Sequence, residues 1–237
     1  MTRRYFAPEL CSGERVQALL PEEASHAARV MRAKQGEKIV LFDGQGYEAS
    51  ATIRSISKRD CSVEIDHVRN VDREPSCSAH FFVALPKQDR SKEMIERLTE
   101  LGVASVAPII CERTQRGPSS GLLEKLRRVV IEACKQSNRN RLLEIAEPVD
   151  FAEAVRESAT RDDTSPCRLL AHPGGVPFRT AVASAPDRAE VWIGPEGGFT
   201  DEEAMVAQES GCCGVDLGKR IYRIETAACV MASMLVH

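Results

Sequence analysis

Apolar positions along the chain follow two regimes. From Lys38 to Ile65 they come in short runs: Lys38 to Phe42, Tyr47 to Ile56 with partial alternation, and Cys61 to Ile65, where Ser62 and Glu64 interrupt the apolar residues. A period of two marks a strand with one buried face, and Asp43-Gly44 between two such runs predicts a hairpin. With one short helix expected at about Pro21–Met31, residues 1–72 read as a small β-rich domain. The chain turns polar around Asp72, Arg73, Glu74 and Pro75. Beyond that point, apolar strands are expected at 80–85, 105–110, 142–146, 167–171, 189–193 and 214–217. Between them, Met94, Ile95, Leu98 and Leu101 recur at helical spacing, as do Leu122, Leu126, Val129, Val130, Ala133 and Cys134. Thr200 to Glu203 forms a capping box, and Glu225–Val236 reads as a last helix. Strands separated by helices predict a mostly parallel sheet covered on both faces, so residues 73–237 are expected to form an α/β domain.

Chemistry enters where this pattern is punctuated. The apolar run Val191-Trp192-Ile193 passes straight into Gly194-Pro195-Glu196-Gly197-Gly198, then Phe199 and the capped helix. A strand-to-helix turn needs one glycine at most, so three glycines and a proline point to a backbone that approaches a ligand closely. In an open parallel sheet, ligands bind beyond the carboxyl ends of strands, which is where this loop falls. The next strand end, Val215 to Thr226, combines Gly218 with Arg220, Arg223 and Glu225, and a third end, Leu170 to Gly175, holds Ala171, His172, Pro173 and Gly174. Three such ends are expected to converge on one bound small molecule. Gly44-Gln45-Gly46-Tyr47-Glu48-Ala49 matches the dinucleotide pattern G-x-G-x-x-A, but strand character continues after it, so it is read as a hairpin turn. With no phosphate loop elsewhere, a nucleotide-dependent metabolic enzyme is set aside.

Charge narrows the picture. A net charge of −3 excludes indiscriminate coating of nucleic acid, so any RNA binding must come from local patches. Basic residues gather at Arg3/Arg4, at Arg29/Arg32/Lys34, at Lys87/Arg90/Lys92 and along 125–141. The nine cysteines are scattered without a C-x-x-C pair and the five histidines lack ligand spacing, so reduced thiols and no metal are expected. No apolar run is long enough to span a membrane and the start lacks a signal-peptide stretch, so a cytoplasmic location is expected.

The run I-G-P-E-G-G-F at 193–199 followed by L-G-x-R-I-x-R-x-E-T-A at 217–227 resembles the bacterial 16S rRNA (uracil-N3)-methyltransferases of the SPOUT superfamily. The resemblance extends to Arg4-Tyr5-Phe6, His26 to Arg32, Gly36-Glu37, Leu41 to Gly44, Leu85 to Lys87, Glu100 to Val103 and Glu132 to Arg139. Tyr222 and Ile224 stand where leucine and threonine are commoner in that family, and Asn138 where glycine is expected. The resemblance implies a PUA-like RNA-binding β-barrel over 1–72 and a trefoil-knotted domain over 73–237. It also implies a homodimer, S-adenosylmethionine as methyl donor, and 16S rRNA of the small ribosomal subunit as substrate. The donor is expected against Ala171, His172, Gly194, Pro195, Glu196, Gly197, Gly198, Leu217, Gly218, Ile221, Tyr222, Arg223 and Thr226. For RNA, the expected residues are Arg3, Arg4, Arg29, Arg32, Gln136 and Arg139.

Uridine N3 is a poor nucleophile until its proton leaves, so catalysis must ease deprotonation and stabilise charge on O2 and O4. Arg223 is the candidate for that positive charge. Glu225 is expected either to accept the proton or to orient the arginine, or else to cap the last helix and pair with Arg220 or Arg223. Two other readings share the scaffold: a methyltransferase acting on another RNA such as tRNA, and a non-catalytic ribosome-assembly factor.

Overall fold

The computed structural model describes residues 2–160 and 166–236; Met1 and His237, the outer bounds of the two expected domains, lie outside them. The chain divides into two units, one of Met1–Glu74 with Cys134–Leu142, the other of Pro75–Ala133 with Leu143–His237.

The first unit holds strands β1 (Arg4–Phe6), β2 (Val16–Ala18), β3 (Lys38–Phe42), β4 (Tyr47–Ile56) and β5 (Cys61–Asn70). Their order in the sheet is β1-β3-β4-β5-β2, with β1 parallel to β3 and the other neighbours antiparallel. The alternation in β5 does what it predicts: Cys61, Val63 and Ile65 are buried with Tyr5, Leu10, Ile39, Leu41 and Ile53. Between β3 and β4, the Asp43 carboxylate accepts the N–H groups of Gln45 and Tyr47 at 2.7 and 3.0 Å, and Gly44 and Gly46 take φ of 81° and 115°. The dinucleotide-like run therefore opens an antiparallel hairpin. The expected helix at 21–31 is α1 (Pro21–Ser25) running into a π-helical turn at His26–Val30.

Segment 134–142 departs from the expected boundary, and its charges explain why. Lys135 is ion-paired with the buried Glu23, and Arg139 holds Glu74 with Nη2 at 2.5 Å from Oε2. Arg141 bridges to Gly44 and Gln45 of the hairpin. Part of the basic run at 125–141 is thus consumed by acids of the first unit.

The second unit contains β6 (Ser78–Val83), α2 (Gln88–Glu100), β7 (Ser105–Ile110), α3 (Ser120–Ser137, of which residues 120–133 count here), β8 (Glu144–Ile145), β9 (Val149–Asp150) and α4 (Phe151–Thr160). There follow β10 (Cys167–Pro177), α5 (Phe178–Ala181), β11 (Arg188–Ile193), α6 (Asp201–Glu209), β12 (Cys213–Asp216) and α7 (Ile224–Val236). The sheet is parallel throughout, in the order β12-β10-β11-β6-β7-β8, with β9 also on β7. Buried on both faces, β11 is apolar from Val191 to Ile193; Trp192 stacks on Phe82 at 3.9 Å, and Phe151 meets its edge. α7 packs against α2, β6 and β11.

Two expected strands differ and one helix is new. The strand at 142–146 shrinks to the two residues of β8, and α4 forms where no helix was expected. The strand at 167–171 continues to Pro177, so the third glycine-rich stretch is a bulged strand rather than a loop. Its register on β12 breaks between Ala171 and Val176, and a Cβ on Gly175 would lie 2.4 Å from the Gly214 main chain, a contact only glycine permits. Among the cysteines, burial pushes the Cys111 and Cys212 thiols up to about 12, which keeps both protonated and unreactive.

Candidate functional site

Three adjacent strands, β12, β10 and β11, open their carboxyl ends onto one cavity of about 620 Å³. From β10 come Ala171, His172 and Pro173; from the end of β11, Ile193 to Phe199; from the end of β12, Val215 to Ile224; and from α7, Ala227. The size suits a single small organic molecule.

Each loop is shaped by local chemistry. Gly194 is buried and its α-carbon lies under the Phe199 ring, where a Cβ would come within 3.1 Å. The Gly198 N–H donates to the Pro195 carbonyl at 2.8 Å, closing a turn that leaves Gly198 at φ 71°. Thr200 then caps α6: its hydroxyl accepts from Glu203 N while the Glu203 carboxylate accepts from Thr200 N, the reciprocal box read in the sequence. After β12, the Asp216 carboxylate accepts the Gly218 N–H at 2.7 Å, and Gly218 sits at φ 112°. No atom lies within 4 Å of where a Cβ on Gly198 or Gly218 would stand. Both positions combine left-handed backbone with open space in front, so their main chain is available to a ligand.

Of the expected donor contacts, Ala171, His172, Gly194, Pro195, Glu196, Gly197, Gly198, Leu217, Gly218, Ile221, Tyr222 and Arg223 all line this cavity, whereas Thr226, in the first turn of α7, lies outside the lining. Arg223 is exposed, and its carbonyl accepts the Ala227 N–H at 2.9 Å. Glu225 is buried and off the lining. It faces neither Arg220 nor Arg223 in an ion pair: its Oε1 lies 4.0 Å from Nε of Arg90, and its Oε2 has no hydrogen-bond partner among the described residues. Arg90 also stands 3.8 Å from Glu196, so one guanidinium links the glycine loop to the start of α7. That role was hidden in the sequence, where Arg90 was one charge in a basic cluster at the start of α2.

The six residues expected to meet RNA all lie in the first unit and divide by exposure. Arg29, Arg32 and Gln136 are exposed, and Arg32 takes a left-handed φ of 49°. Arg3 is ion-paired with Glu37 at 2.7 Å. Arg4 is buried against Glu48 and Asn140, and Arg139, 5% exposed, against Glu74. These last two guanidinium groups hold the fold together. Among the described residues, no group of three or more His, Cys, Asp or Glu side chains is arranged to hold a metal, and no helix is long and apolar enough to cross a membrane.

Residues 73–236 match the family model described as RNA methyltransferase domain. The chain belongs to this family of RNA methyltransferases. Residues 19–66 match a second model, the RNA methyltransferase PUA domain, which falls on the β-rich first unit. Among curated RNA methyltransferases, ribosomal RNA small subunit methyltransferase E of Aquifex aeolicus is 30% identical over 88% of this chain and 89% of its own length. The Synechocystis protein of the same name is 29% identical over 98% and 76%. A solved structure from Legionella pneumophila in complex with the bound cofactor SAM superposes with a TM-score of 0.89 at 31% identity, covering 99% of this chain and 97% of that one. The ribosomal RNA small subunit methyltransferase E of Neisseria gonorrhoeae, bound to S-adenosyl methionine, gives a TM-score of 0.87 at 28% identity, over 99% and 96%.

Proposed function

We propose that this chain transfers the methyl group of S-adenosylmethionine to N3 of a specific uridine in 16S rRNA of the small ribosomal subunit. The observation that carries this reading is the cavity built from three neighbouring strand ends and lined at Gly194–Gly198 and 217–223. Its volume, its left-handed glycines and the open space before them fit a folded nucleoside-containing donor. Relatives carrying the name ribosomal RNA small subunit methyltransferase E support the rRNA substrate, and N3 as acceptor rests on the resemblance of 193–199 and 217–227.

When bound, the donor supplies an electrophilic methyl on its sulfonium, needing no metal. The rest falls to the chain. Gly194–Gly198, Leu217, Gly218, Ile221 and Tyr222 hold the donor, mainly through backbone N–H and C=O groups. Arg223, exposed at the cavity, sets positive charge where the uracil anion develops on O2 and O4, which lets the N3 proton leave to water. Glu225, buried off the lining and unpaired with Arg223, takes neither catalytic role expected of it; we assign it instead to holding Arg90, whose guanidinium also faces Glu196 of the glycine loop.

We assign RNA contact to the 1–72 domain through its exposed Arg29 and Arg32, and to Gln136, which is exposed in the same unit. Such contacts position the RNA, while an unstacked base enters the catalytic site in the 73–237 domain. A trefoil knot rests on the family resemblance, with which the strand order β12-β10-β11-β6 and the packing of α7 on β11 and β6 are compatible. A homodimer rests on the family resemblance of 193–199 and 217–227. A ribosomal substrate places the protein in the cytoplasm.

The test is mass spectrometry of nucleosides from purified 16S rRNA and tRNA, taken from cells with and without the gene. The expected result is loss of 3-methyluridine from 16S rRNA alone. Loss confined to tRNA, or no loss from either, would contradict the proposal.

A further inference from the structure

The loop that leaves β7 reaches across to the glycine loop after β11, which it bonds at two points, and to α6, which it bonds at a third. Arg113 Nη1 donates to the Gly197 carbonyl at 2.8 Å and to the Phe199 carbonyl at 3.2 Å. The Glu112 N–H donates to Oε1 of Glu203 at 2.8 Å, the same carboxylate that closes the α6 capping box through Oε2. The β7 loop is itself pinned, since the Cys111 N–H donates to the Thr114 hydroxyl at 2.9 Å. Gly197 also bears the mark of this arm: its φ is ordinary, but a Cβ there would meet Cδ of Arg113 at 3.3 Å. A side chain at 197 would thus crowd the passing arginine, while the backbone there makes no demand for glycine.

We infer that Arg113 is a positioning residue for methyl transfer, holding the main chain of 197–199 in the shape that receives the donor; the inference rests on the donor reading above. Two carbonyls separated by one residue turn toward the same cation. The intervening Gly198, which lines the cavity at φ 71°, is therefore fixed from both sides without contributing a side chain. A glycine-rich loop would otherwise lose this geometry to its own conformational freedom, and the donor would have to order it on binding. Hydrogen bonds from a charged donor are the stronger kind, and here they act on preorganisation rather than on the reacting atoms.

The test compares wild type with Arg113→Ala and Arg113→Lys by calorimetric titration with S-adenosylmethionine, by steady-state methyl transfer to small subunits, and by RNA binding. Losing two charge-assisted bonds should weaken donor affinity and raise its KM by about tenfold or more in Arg113→Ala. The turnover number at saturating donor should stay within about twofold and RNA affinity should not change. Lysine, able to reach one carbonyl, should recover part of the loss. In a double-mutant cycle, Gly197→Ala should weaken donor binding in the wild-type background, by displacing the crowded Arg113 stem, and much less in Arg113→Ala, where that stem is gone; this coupling is read out even if one variant is less stable. Unchanged donor affinity in Arg113→Ala with a native thermal melt would overturn the inference, as would additive effects in the cycle. Weakened RNA binding with donor affinity intact would overturn it too, and make Arg113 an RNA contact. Absence of donor binding by wild type would instead remove the donor reading, and this inference with it.

Discussion

Asn138 follows the C-terminus of α3 with φ at 61°, in the left-handed region, where the family resemblance leads one to expect glycine. Asparagine is the residue that best replaces glycine there, because its short polar side chain tolerates that backbone. Asn138→Gly should leave stability within a few tenths of a kcal/mol. Asn138→Val should cost about 1–2 kcal/mol, read by denaturant unfolding, because a β-branched side chain meets the carbonyl in that conformation. A neutral valine variant would show that the local backbone relaxes. Single residues differ sharply in how far the sequence reveals them. Gly198 and Gly218 stand out because glycine and proline crowd strand ends, and the structure puts both at positive φ on the cavity wall. Arg90 and Arg113 carry no local signal, since their partners lie more than 80 residues away in sequence and only the folded sheet brings them near. Arg4 and Arg139 look like RNA contacts as sequence, because nothing local says that a cation will be buried beside a carboxylate.

Elements were legible where their pattern was purely apolar and local. β7 falls on the expected strand, and the capping box of α6 is the one read from Thr200 and Glu203. α4 was hidden because its buried face, Phe151, Ala154, Val155 and Ser158, ends in a hydroxyl. That Ser158 hydroxyl donates to the buried Glu190 and accepts from Arg168 Nε at 2.8 Å, a network that no apolar periodicity can announce. In the first unit, β4 carries a buried carboxylate, Glu48. Burial alone would push Glu48 up, but hydrogen bonds from Arg73, Arg4, Arg69 and Asn140 together outweigh it and hold the carboxyl at about 2 against an ordinary 4.5. A depressed value in the folded state means a contribution that is complete above about 4.5 and is lost as pH falls toward about 2. The melting temperature should therefore drop through that window in wild type. Glu48→Gln should be less stable at neutral pH, because three arginines lose their partner, and its drop through the same window should be shallower. Equal pH slopes in the two proteins would remove Glu48 as the cause.

For the whole molecule, the parallel sheet and the β-rich first unit follow from the two hydrophobic periods, and the ligand-facing edge follows from where glycines interrupt them. The order of strands does not. That β12 lies outside β10, and that 134–142 joins the first unit, depend on pairings between distant segments, such as Lys135 with Glu23, which leave no periodic trace. The proposed activity depends on three strand ends forming one donor site. Calorimetric titration of S-adenosylmethionine into wild type and into Gly198→Val tests this most directly. Gly198 has open space where a Cβ would go but a φ of 71°, so valine strains the loop without colliding with the core. The account predicts saturable binding, one donor per chain, weakened by at least about tenfold in the variant while its circular dichroism stays native. No binding to wild type, or equal affinity in the two proteins, would contradict it.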